Sequence, residues 1–309
     1  MHLAISARGL TKKFGDVHAV DGLDLEVKAG EVHGILGPHG SGKTTTLRIL
    51  LGMLRADGGT ASVLGTDPWR SPASLRRRLA YVPGEVNLWP HLSGGEAIDL
   101  LGRLRGGLDR VRHEFLIERF ALDPTRKGDT YSPGDRQKVA LVAAFAADVE
   151  LLILDEPMSG ADPVMAAVFQ ECLSEFASEG RTVLLSSHLV TEVDALCRGV
   201  TIIRSGKTVQ AGNLSELRHF MRTTITATTR IRPSPIATVA GVHNLRQGAD
   251  AHTVTFDVDS DQIDPVLTTL TGLGIVSITA NPPTLEDLFL REYHEEIDAL
   301  AIGSGRWAH

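Results

Sequence analysis

The sequence predicts an α/β fold built on a parallel sheet, followed by a second, smaller α+β unit. Three observations predict it. Short apolar and β-branched runs alternate with stretches of helical periodicity through the first 212 residues. A loop of the pattern G-x-x-x-x-G-K-T falls between one such run and a helical stretch, at positions 37–44. After Asn213 the composition shifts to Thr-rich, strand-like segments.

A chain of 309 residues has room for two modest cores, since domains run to ~100–200 residues each. Hydrophobic residues make up 42% and charged residues 22%, close to globular averages, so neither a disordered nor a membrane-embedded chain is expected. The longest apolar run, 139–147, is stopped by Asp148 and Glu150, far short of the ~20 residues that span a bilayer. Any membrane role is therefore expected to come through a partner. No charged, apolar, small-residue signal series opens the sequence, so a cytosolic compartment is expected. Cys172 and Cys197 fit no metal-ligand spacing and read as buried, inert thiols. A net charge of −7 argues against wholesale nucleic-acid binding, and no nucleic-acid partner is expected. The cluster Arg76, Arg77, Arg78 reads as a solvated helix face.

In chain order, residues 3–36 read as strands separated by the turns Phe14-Gly15-Asp16 and Lys28-Ala29-Gly30. Residues 44–54 read as a helix, closed by the turn Asp57-Gly58-Gly59. Helices are expected at 95–105 and 111–121, parted by Gly106-Gly107, so that the middle section is all-α, a helical subdomain over about 85–145. Strands follow at 151–154 and 182–185 with a helical stretch between them, the parallel α/β pattern. A hairpin over 200–211 turns at Ser205-Gly206, and the first unit is expected to end at about 212. In the second unit, 213–309, strands are expected at 225–231, 253–258 and 275–279 with a helix at 264–273. Arg232-Pro233-Ser234-Pro235 reads as an internal loop.

The loop carries the chemistry. In Gly37-Pro38-His39-Gly40-Ser41-Gly42-Lys43-Thr44, continued by Thr45, the glycines let backbone N–H groups curl around phosphates, and the following helix adds its positive end. Lys43 is placed to reach the β- and γ-phosphates, and the Thr44 hydroxyl to bind Mg²⁺. His39 reads as a loop filler. Downstream, the apolar run Leu151-Leu152-Ile153-Leu154 ends in Asp155-Glu156. Asp155 is expected to hold Mg²⁺, directly or through water, and Glu156 to polarise the attacking water. ATP and Mg²⁺ are thus the expected ligands.

What separates this chain from other phosphate-loop proteins precedes that strand. Tyr131-Ser132-Pro133-Gly134-Asp135-Arg136-Gln137-Lys138 lies 23 residues before Asp155, counted from Ser132, and heads an apolar helix. It resembles the signature of the ATP-binding-cassette (ABC) family, usually LSGGQ: Ser132 and Gly134 match, whereas Pro133 and Asp135 replace a glycine and a glutamine. A closer match by letters, Leu92-Ser93-Gly94-Gly95-Glu96, stands 59 residues before Asp155 when counted from Glu96, and reads as a helix capping box through Ser93 and Glu96. Ser159-Gly160-Ala161-Asp162 resembles the family's D-loop. His188, 32 residues after Glu156, resembles its switch histidine. Phe14 matches the aromatic that stacks on adenine. Gly84 stands where the family has the glutamine of its Q-loop, with Glu85 and Asn87 the neighbouring candidates to replace it.

The resemblance implies an ABC cassette with a RecA-like P-loop core, an antiparallel β subdomain and a helical subdomain over 1–212, with an accessory α+β domain behind it. It implies ATP hydrolysis by a dimer of cassettes, a homodimer or heterodimer, acting on a separately encoded transmembrane permease at the inner face of the membrane. Phe14, the loop, Asp155, Glu156 and His188 of one subunit would face Ser132 and Gly134 of the other, and Asp162 of the D-loop is expected among the nucleotide-binding residues. The closing Pro283-Thr284-Leu285-Glu286-Asp287-Leu288-Phe289-Leu290 is similar to the end of daunorubicin-resistance-type exporter subunits, which implies export of antibiotics, drugs or lipids. A non-transport ABC ATPase and a degenerate ATP-binding switch with little turnover are the alternatives, Gly84 and Pro133 speaking for the second.

Overall fold

The structure, a computed structural model, describes residues 2–219, 222–248 and 250–281, in two compact units that part between Gly212 and Asn213. The segment 283–290 lies outside the described residues.

The first unit opens with β1 (Leu3–Phe14) and β2 (Val17–Lys28), an antiparallel pair, then β3 (Val32–Leu36) and α1 (Lys43–Leu50). Next come β4 (Gly58–Val63), the short helix α2 (Pro72–Arg76) and β5 (Leu79–Val82). The middle section is helical, as expected: α3 (Gly94–Arg105), α4 (Arg110–Arg119) and α5 (Pro133–Phe145). β6 (Leu151–Asp155), α6 (Pro163–Ser178), β7 (Thr182–Ser187), α7 (Val190–Leu196), β8 (Gly199–Arg204) and β9 (Lys207–Asn213) complete it.

Two sheets result. Strands β2-β1-β4 form an antiparallel sheet, and β5-β6-β7-β3-β8-β9 a second one in which the first five neighbours run parallel. Strands β3, β6 and β7 are buried along their whole length, which is why they read as unbroken apolar runs rather than alternating ones. One core joins the two sheets: Ile5, Leu10, Leu23 and Leu25 meet Ile35, Leu47, Leu50, Ile153 and Leu184. Phe145 of α5 packs against Phe169 and Phe176 of α6 with ring centroids 6.0 Å apart, tying the helical section to the sheet layer.

Three expectations need correction, and one strand went unread. The helix after the loop ends at Leu50, not 54, because the chain turns at Gly52 with φ 64°, where a Cβ would strike the Pro68 carbonyl oxygen at 2.1 Å. Gly58-Gly59 is no turn but the start of β4. Strand β5 escaped a reading by periodicity altogether. Of the arginine cluster, Arg76 and Arg77 are exposed as read, whereas Arg78 is half-buried: its guanidinium forks onto Glu150 at 2.5 and 2.8 Å and donates to the Leu64 carbonyl at 3.0 Å.

The capping box at the head of α3 is present as read. Ser93 Oγ accepts from the Glu96 amide at 3.2 Å, and Glu96 Oε2 accepts from the Ser93 amide at 2.6 Å. Ser93→Ala is expected to cost about 1 kcal/mol and to lower the melting temperature by about 2–4 °C in a circular-dichroism melt, while Ser93→Thr is close to neutral.

The second unit begins with α8 (Leu214–His219). Its sheet takes the order β11 (Val242–Gln247), β12 (Thr253–Val258), β10 (Thr223–Thr229), β13 (Ile275–Asn281), with α9 (Ile263–Gly272) following β12. Ile225, Phe256, Val266 and Leu270 form its own core. Residues 234–238 make a 3₁₀ turn in the segment read as an internal loop. Both cysteines, of the first unit, are free and buried; burial pushes the Cys172 thiol up to about 11 and raises that of Cys197 as well. Among the described residues no helix is long and apolar enough to cross a membrane.

Candidate active site

Three neighbouring strands deliver the site at their C-terminal ends, where ligands of parallel sheets bind. The loop leaves β3, Asp155 ends β6 with Glu156 next, and Ser187-His188 follow at the end of β7. The ends are laced together: the Gly37 amide donates to the Ser187 carbonyl at 3.3 Å and the Glu156 amide to the Ser186 carbonyl at 3.1 Å.

Gly40 and Gly42 adopt φ of 79° and 103°, and at Gly42 a Cβ would meet the Ala19 carbonyl oxygen at 2.4 Å. Only glycine lets the loop curl so tightly beside the β1–β2 hairpin. Inside the curl, Lys43 Nζ donates to the loop's own carbonyls, Gly37 at 2.7 Å and Pro38 at 3.0 Å. Ser41 is buried and its hydroxyl has no protein partner. A loop of bent amides with a folded-in lysine and an orphaned hydroxyl fits a phosphate group, whose oxygens would take over these donors.

Thr44 Oγ1 donates to Asp155 Oδ1 at 3.2 Å, and Ser186 Oγ donates to the same oxygen at 2.6 Å. A hydroxyl beside a buried carboxylate is the oxygen-only donor set that suits Mg²⁺. Glu156 stands between two cationic or potentially cationic groups. Its Oε1 lies 3.2 Å from Lys43 Nζ and its Oε2 3.1 Å from His188 Nδ1. Burial by itself would push the Glu156 carboxyl up; the bond and charge of Lys43, then those of His188, outweigh it and hold the carboxyl below the usual carboxylate range. Lys43, Thr44, Asp155, Glu156 and His188, separated by up to 145 residues, are therefore one constellation.

The remaining expected residues stand elsewhere or do other work. Phe14 ends β1 with its ring half exposed and Lys12 Nζ 5.6 Å over it. Thr45 follows Thr44 in α1. Ser132 caps α5, accepting from the Asp135 amide at 3.2 Å and donating to Asp135 Oδ2 at 2.8 Å. Pro133 sits at the first helical position, where its missing N–H costs the helix nothing. Gly134 has open space where a Cβ would point, with Ser132 Oγ at 4.0 Å the nearest atom. Asp162 caps α6 through the Met165 amide at 2.8 Å, a structural task besides the one expected. Gly84 abuts the site: a Cβ there would lie 3.0 Å from the Asp155 carbonyl oxygen, so the glutamine of the family pattern would need the end of β6 to shift.

His39 is more than a filler. Its ring lies against that of His188, centroids 4.5 Å apart and planes at 38°. Gln137 of α5 was also missed: its buried side chain donates to the Pro157 carbonyl at 3.1 Å, joining the signature helix to the residue after Glu156.

The ABC transporter family model matches residues 20–159. The daunorubicin/doxorubicin resistance ATP-binding protein of Streptomyces peucetius is 38% identical over 220 residues, 70% of this chain and 67% of that protein. An uncharacterized ABC transporter ATP-binding protein of Bacillus subtilis (strain 168) is 32% identical over 293 residues, 92% and 96% of the two chains. The solved structure of an ATP-binding subunit of an ABC transporter superposes with a TM-score of 0.65 at 27% identity, covering 70% of this chain and 92% of that one. This chain, with its phosphate loop, its paired carboxylates and its histidine at adjacent strand ends, belongs to the ABC transporter family as an ATP-binding subunit.

Proposed function

We propose that the chain hydrolyses ATP to drive export of antibiotics, drugs or lipids through a separate transmembrane permease, on which two cassettes work as a dimer at the inner face of the membrane. The observation that carries the hydrolytic part is the bridge Lys43–Glu156–His188, with Glu156 ionised at the point where a γ-phosphate would meet Lys43. Glu156 orients the attacking water and takes up its proton, and His188 holds the carboxylate in place. Lys43 exchanges its loop carbonyls for phosphate oxygens. Thr44 and Asp155 would hold Mg²⁺, which neutralises phosphate charge when bound. The drug-export reading rests on relatives named for daunorubicin resistance and bacitracin transport.

Gly134 supports the dimer. Its backbone is not left-handed and its own chain leaves the Cβ position open, so neither conformation nor packing demands glycine. Close approach of a group from outside the chain would account for glycine here, and a nucleotide on a second cassette is such a group. Residues 1–212 would form the catalytic unit and the rest an accessory domain, each with its own core.

The test is ATP turnover by the purified chain alone and reconstituted in vesicles with the candidate permease. Turnover should rise several-fold on reconstitution, and cargo should move only with hydrolysable ATP. Equal turnover with and without every candidate permease would instead place the chain among the non-transport ATPases.

A further inference from the structure

We propose that His39, Glu156 and His188 together bind a zinc-class divalent cation, and that the bound ion shuts the site off. The inhibitory half rests on the catalytic reading of Glu156 and His188 given above; the binding half does not.

Three separate segments supply the three side chains: the loop after β3, the end of β6 and the end of β7. Each offers one ligand atom, and these atoms all lie within 4.8 Å of one another. Zinc bonds of about 2.0–2.2 Å at tetrahedral angles set neighbouring ligand atoms about 3.3–3.6 Å apart. The His188–Glu156 edge, at 3.1 Å, is already near that length. His39, exposed on the loop and with its ring against His188, needs only a small swing to complete the triangle.

The donor chemistry selects the ion. Two imidazoles and one carboxylate with a fourth direction free are the ligands of an open zinc site. Magnesium prefers oxygen donors and its own waters, whereas imidazole nitrogen suits zinc, cobalt and nickel. Thr44 and Asp155, all oxygen, would thus take one class of ion, and this triangle another. The contact of Glu156 Oε1 with Lys43 supplies the outer bond that orients a ligating carboxylate. A metal on Oε2 withdraws Glu156 from water and fixes His188, so hydrolysis stops although the oxygen site stays intact.

The full-length chain, freed of metal and nucleotide, is titrated with Zn²⁺ against a chromophoric chelator and separately with Co²⁺. One equivalent should bind, with a visible Co²⁺ absorption of four-coordinate intensity. His39→Asn should weaken binding tenfold or more, and His188→Asn at least as much, with unchanged circular dichroism. In the ATPase assay the wild type should lose activity at zinc concentrations at least tenfold below those that inhibit His39→Asn, and excess Mg²⁺ should not restore it. Equal zinc affinity of wild type and His39→Asn would overturn the site. Equal zinc sensitivity of their turnover would overturn the inhibition. Continued hydrolysis by Glu156→Gln would remove the catalytic reading alone, since the titration reads the metal site without turnover.

Discussion

Glu156→Gln is expected to bind ATP while hydrolysing it at least about a hundredfold more slowly, the range lost when a positioned general base is removed. Glutamine keeps the size of the side chain and can still bond His188, but it cannot take a proton from water. Light scattering during size exclusion should then show a dimer with Mg-ATP and a monomer without it, because the closed state no longer discharges. Wild-type turnover would strip Glu156 of its role. An inactive variant that stays monomeric at saturating ATP would point to the signature, where Asp135 engages the Ser132 hydroxyl and pairs with Arg126 at 3.4 Å, or to dimerisation that needs the permease. Adding Pro133→Gly and Asp135→Gln recovers the dimer in the first case only.

Lys43→Ala is expected to weaken ATP binding by about 2–5 kcal/mol, some thirtyfold to several thousandfold, read by calorimetric titration with Mg-ATP. The ammonium is almost wholly buried, so its charge is poorly screened where it meets phosphate. The change also leaves Glu156 with His188 as its remaining charge partner in the site. Without Lys43 the burial that pushes its carboxyl up is opposed less, so its titration should move to higher pH, as a ¹³C-carboxyl NMR titration would show. Unchanged affinity for Mg-ATP would sink the assignment of the loop.

Much of this site was legible because its requirements are local. A loop that wraps phosphate needs glycine at fixed offsets, and a carboxylate pair that faces it must end a buried strand, so both leave a pattern in consecutive residues. The contact between His39 and His188 leaves none, since it joins positions 149 residues apart through strand order. Asp162 and Ser132 read as nucleotide-binding residues, yet both also cap helices, a second use that local sequence does not separate from the first. In the fold, β5 is only four residues long, too short for a period to show. Strand β11 was missed for another reason: as an edge strand carrying His243, Asn244 and Arg246 it buries little and shows no apolar alternation. The helix after the loop was read too long because Leu51 and Leu54 continue its apolar rhythm, while one left-handed glycine between them ends it.

Glu156 is held at φ 47°, a conformation that most L-residues pay about 1–2 kcal/mol to adopt, and its amide is bonded to both the carbonyl and the hydroxyl of Ser186. On the catalytic role proposed for Glu156, folding and turnover ask for different residues at this one position. A selection for thermal stability alone would drift towards glycine or asparagine here and silence the motor as it did so. Stabilising this protein by consensus or directed evolution thus needs a selection for ATP turnover running beside the one for heat resistance.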